Sequence, residues 1–139
     1  MIDEAVIFSA SMSDGQRTLV VAILNLCYAW ILIQSAVAPS VPAAGEWFPD
    51  KLAHALAYGG QTVLLYWVFM SLVQPLTATA AAWLVSGALG MLTEILQALQ
   101  RARSADPGDL IADMVGATIV IVAATLVRRA LSAARVARR

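Results

Sequence analysis

Four apolar runs, at 18–38, 52–73, 76–99 and 110–127, constrain this chain more than any other feature. A helix of roughly 20 mostly apolar residues crosses the hydrocarbon core of a bilayer. Hydrocarbon offers the backbone no hydrogen-bond partner, so a run of this length is satisfied there as a helix. Of the 139 residues, 60% are hydrophobic and 13% charged, more apolar surface than one small soluble core can hide. The expected fold is all-α: one polytopic four-helix membrane domain over 18–127, preceded by a cytoplasmic segment at 1–17 and followed by a basic tail at 128–139.

The formal net charge is zero, which gives no electrostatic case for nucleic acid. The charges are nevertheless unevenly placed. Arg128, Arg129, Arg135, Arg138 and Arg139 follow the last run and Arg17 precedes the first, whereas Lys51, Arg101 and Arg103 lie after runs one and three. The positive-inside bias therefore predicts both termini in the cytoplasm, loops 39–51 and 100–109 facing outward, and an arginine tail resting on anionic lipid.

Cys27 stands alone, so no disulfide framework or cysteine-based metal site is available. The first run ends in "SAVA" and imitates a secretion signal, but its length favours a retained span. Between runs two and three, the short "VQPLT" predicts an antiparallel hairpin. Ala82, Ser86 and Gly90 recur at four-residue intervals, a small-residue face that admits a close helix and leads on to Glu94.

Polar residues collect where lipid would exclude them. Asp50, His54 and Tyr58 are spaced by four and share a helix face, which Gln61 extends. Glu94, Gln97 and Arg101 form a second stripe; Asp109 and Asp113 open a third, extended by Gly116. All three lie near the outward ends of their helices, so they are expected to converge on an outward-opening polar pocket. A carboxylate at mid-membrane costs roughly 2.5–3.5 kcal/mol on insertion scales. Glu94 and Asp113 are therefore expected to face each other, His54 or an arginine.

"DKLAHALAY" at 50–58, "EILQ" at 94–97, Arg103, Asp109 and "DMVGA" at 113–117 resemble the VanZ-like membrane proteins in order and spacing, over about the last two thirds of the chain. Asp113 stands where that family usually has Asn, and Val120 where a glycine is often found. The resemblance implies a small multi-span protein of the bacterial inner membrane and cell envelope. It implies no known reaction, the family being named for a member that raises teicoplanin resistance.

Several readings fit these residues. One is a buried ion-pair network that fixes helix register. Another is a site for an anionic lipid headgroup or lipid-linked sugar, with Lys51, Arg101 and Arg103 on phosphate and the other polar residues around it. An enzyme acting on lipid would use His54 and Glu94 as acid and base. Asp50, His54, Glu94 and Asp113 are the set weighed for a divalent metal, although one His with carboxylates is no diagnostic ligand pattern, and neither metal nor cofactor is expected. The last reading is an accessory subunit of a larger membrane assembly. Membrane lipid is the expected partner, with other membrane subunits as the alternative.

Overall fold

Ser13 opens the first helix with a reciprocal cap: the Gln16 N–H donates to Ser13 Oγ at 3.2 Å, and the Ser13 N–H donates to Gln16 Oε1 at 2.8 Å. Two donors that a helix start leaves unpaired are thereby satisfied. The computed structural model describes residues 12–38, 47–100 and 106–138. They form α1 (Asp14–Val37), α2 (Trp47–Leu72), α3 (Pro75–Ala98) and α4 (Pro107–Ala137), with no strand among the described residues. Pro75 and Pro107 occupy first-turn positions, where a missing N–H costs nothing. Most of the segment at 1–17, most of the loop at 39–51, Arg101 and Arg103 lie outside the described residues.

All four helices are long and apolar enough to cross a membrane. Only 11% to 28% of each helix's most apolar window is buried, so the apolar surface faces mainly outward, an arrangement suited to lipid rather than water. Helix boundaries extend beyond the apolar runs, α1 starting at Asp14 and α4 at Pro107. α2 starts at Trp47, which makes Asp50 and Lys51 helical. α4 continues to Ala137 rather than stopping at Val127, because "RRALSAARVA" contains good helix formers and neither Gly nor Pro. At 31 residues α4 is about 46 Å long, more than the hydrocarbon core needs.

Val73 and Gln74 make the short turn between α2 and α3, which run antiparallel. The most extensive packing is between α2 and α4, which run parallel, and α1 touches α2 and α3 but not α4. Gly116 allows the α2–α4 approach: a Cβ there would overlap the Ala55 carbonyl. Gly59 packs on the Gly116 carbonyl and Val120 a turn further along. On α3, Ala78, Ala82, Ser86 and Gly90 are all buried, and Gly90 faces Asp113 and Leu110 of α4. Small residues thus bring three helices close enough for short polar side chains to meet.

Candidate functional site: a polar cleft at the His54 end of the bundle

The α2–α4 contact begins with an ammonium among carboxylates. Lys51 is 9% exposed; its Nζ donates to Asp106 Oδ2 at 2.5 Å and to Asp109 Oδ1, and lies 4.0 Å from Asp50 Oδ2. A buried ammonium is tolerable only with such partners. Lys51, expected beside phosphate, is therefore engaged with protein carboxylates. Asp106 did not stand out in the sequence. It also caps α4, accepting from the Gly108 N–H at 2.8 Å, and an Asp before Pro at a helix start was the signal available for it. The Lys51 ammonium, ahead of the Gly108 N–H, holds the Asp106 carboxyl below its ordinary value of 3.8.

His54, one turn along α2, lies between two aspartates of α4. Its Nδ1 is 2.9 Å from Asp113 Oδ1 and its Nε2 is 3.6 Å from Asp109 Oδ2. The first distance is a hydrogen bond; the second is too long for one. An ionised carboxylate only accepts, so with Asp113 ionised the Nδ1 carries the proton. Asp50, His54 and Tyr58 line one cleft, as their spacing predicts, with Leu32, Ser35 and Ala36 of α1 and Thr93 and Gln97 of α3. The cleft holds about 200 Å³.

Beneath it, hydroxyl groups continue the polar thread. Tyr58 Oη and Thr93 Oγ1 are 2.5 Å apart, and Thr62 Oγ1 donates to the Tyr58 carbonyl at 2.7 Å and lies 2.9 Å from Ser86 Oγ. Gln61 and Asn25 are also buried, each with a side-chain atom that has no hydrogen-bond partner among the described residues. Further down α2 and α3 the buried residues are Leu65, Ala82 and Ala78. Asp50 to Thr62 spans only about 18 Å of helix, less than the thickness of the hydrocarbon core.

Glu94 and Gln97 are buried at the same end of α3. Glu94 Oε2 accepts from the Asp106 N–H at 2.9 Å, on the backbone leading into α4. Glu94 Oε1 and Asp113 Oδ2 are buried without hydrogen-bond partners among the described residues. Gln100, which no spacing pattern marks, donates from Nε2 to the Ala36 carbonyl at 2.6 Å and ties α1 to the end of α3. A donor from each of Asp50, His54 and Asp109 falls within 4.8 Å of the others, the described set able to hold an ion; it includes Asp109 where the sequence pointed to Glu94 and Asp113.

Comparison with protein-family models, with curated proteins and with solved structures finds no match for this chain.

Proposed function

We propose that this is a VanZ-like four-span protein of the bacterial cytoplasmic membrane, with both termini in the cytoplasm, whose cleft opens outward and holds the headgroup of a membrane lipid or lipid-linked envelope component. The observation that carries this reading is the amphipathic lining of the cleft. Leu32, Ala36, Ala53 and Ala57 supply an apolar wall, and Asp50, His54, Tyr58 and Gln97 supply convergent polar groups. Drug-sized ligands occupy pockets of roughly 300–1,000 Å³. At about 200 Å³ the cleft suits a headgroup or one sugar ring, leaving acyl chains on the exposed apolar faces of the helices.

The test is native mass spectrometry after purification in a mild detergent. The wild type should retain lipid, and Gln97→Leu should lose it while keeping its helical content. Protein that carries no lipid, or Gln97→Leu that keeps its full complement, would count against the reading. A second reading, an accessory subunit, is favoured by α1, which packs on two helices and exposes Leu19, Ile23, Leu24, Leu26, Trp30 and Ile31. In the same spectra it would appear as a co-purifying chain.

A further inference from the structure

We propose that Asp50, His54 and Asp109 bind a divalent transition-metal ion of the zinc class through one Asp50 oxygen, His54 Nε2 and Asp109 Oδ2. The ligand atoms already lie together. Two atoms each bonded at about 2.1 Å to a tetrahedral ion stand about 3.4 Å apart, and His54 Nε2 and Asp109 Oδ2 are 3.6 Å apart. That gap is too long for a hydrogen bond and close to what a shared ion requires. The three donors fall within 4.8 Å of one another, and the Asp50 side chain, 60% exposed, has room to complete the set by rotation.

The surroundings favour an ion there. Asp113 lies on the Nδ1 side of His54 at 2.9 Å, the carboxylate that commonly supports a metal-binding histidine and turns the lone pair of its other nitrogen towards the metal. Lys51 occupies Asp109 Oδ1 and leaves Oδ2 for the ion. Formal charge argues the same way: Asp50, Asp106, Asp109 and Asp113 against Lys51 leave three negative charges, an excess that a divalent cation reduces. Beside this set, Glu94 Oε1 and Asp113 Oδ2 are two further buried carboxylate oxygens without hydrogen-bond partners among the described residues, on side chains of which Asp113 touches His54 directly.

Mixed imidazole and carboxylate donors suit zinc or its first-row neighbours rather than magnesium or calcium, which prefer oxygen alone. Three protein ligands leave a fourth position open. Because Asp50 and His54 line the cleft, that position faces it, where a phosphate or hydroxyl oxygen could reach the ion.

The test uses the full chain in detergent micelles, carrying Cys27→Ala to remove its thiol, delipidated and stripped of metal by a chelator. Zn2+ is then titrated in competition with a chromophoric chelator, and helical content is followed by circular dichroism. One equivalent should bind. His54→Gln should weaken binding at least 100-fold, and Asp50→Asn about 10-fold. Asp113→Leu should weaken it by roughly 10–100-fold, the usual range for removing a histidine's supporting carboxylate. Should His54→Gln fail to fold, Asp50→Asn, which alters an exposed carboxylate, decides. Absence of stoichiometric Zn2+ binding, unchanged affinity in folded His54→Gln or in Asp50→Asn, or binding of Mg2+ in preference to Zn2+ would each overturn the proposal. No lipid is present in this titration, so its failure leaves the headgroup reading intact, and failure of lipid retention leaves the metal site intact.

Discussion

Asp113 Oδ1 lies 2.9 Å from His54 Nδ1, a contact between residues 59 positions apart that joins two parallel helices at their closest packing. Short side chains can meet there because Gly116, three residues beyond Asp113, lets the α4 backbone press on the Ala55 carbonyl. The polar contact and the small-residue contact are one feature of the fold.

Asp113→Leu should destabilise the bundle by about 1–3 kcal/mol, the usual cost of leaving a buried donor unpaired, whereas Asp113→Asn keeps an acceptor for His54 and should cost less. Thermal unfolding in detergent, followed by circular dichroism, ranks the variants. Equal loss in both would show that the hydrogen bond is not what Asp113 contributes.

Gly116→Leu should be more damaging than Asp113→Asn. Its side chain would meet backbone of α2 that cannot move aside by a rotamer change, and overpacking typically costs about 1–3 kcal/mol. Gly15→Ala is the matched control, since a Cβ there meets nothing within 4 Å, and it should stabilise α1 by up to about 1 kcal/mol. A Gly116→Leu protein that melts with the wild type would contradict the close α2–α4 crossing.

Lys51 gives a test of coupling. Removing one partner of a buried ion pair costs about 3–5 kcal/mol because the other charge is stranded. Lys51→Met should therefore unfold more easily than Lys51→Met combined with Asp109→Leu, although the double variant removes more native contacts. Additive losses would mean that Lys51 and Asp109 act independently.

The sequence carried a good part of this geometry. The four-residue spacing of Asp50, His54 and Tyr58 placed them on one face because helix periodicity is local, and Val73 and Gln74 forced α2 and α3 into a hairpin because two residues permit little else. Periodicity says which face a residue occupies but not which helix that face meets. Hence the parallel pairing of α2 with α4, and with it the pairing of Lys51 with Asp106, was not legible. Asp106 is inconspicuous for a related reason: between apolar runs it reads as a loop residue, and only Pro107 marks it as a cap. The continuation of α4 to Ala137 was not legible either, because Arg128 ends the apolar pattern without ending the helix.

The remaining prediction concerns the orientation of the cleft. Arg128, Arg129, Arg135, Arg138 and Arg139 follow the hydrophobic part of α4, and Arg17 precedes that of α1. Charges of this sign are retained on the cytoplasmic side, so both helix ends should lie there. The up-and-down order of the helices then puts the other end of the bundle, with Asp50, His54 and Gln97, outside. Cys27, exposed on α1, is first replaced by alanine to remove background labelling. In intact cells a cysteine introduced at Ala43 should react with a membrane-impermeant thiol reagent, whereas one at Ala134 should react only after the cells are opened. Both sites should label once the membrane is dissolved, which separates protection by the bilayer from burial in the protein. Labelling of Ala134→Cys in intact cells with protection of Ala43→Cys would turn the cleft towards the cytoplasm and remove an outer-leaflet or envelope ligand from consideration.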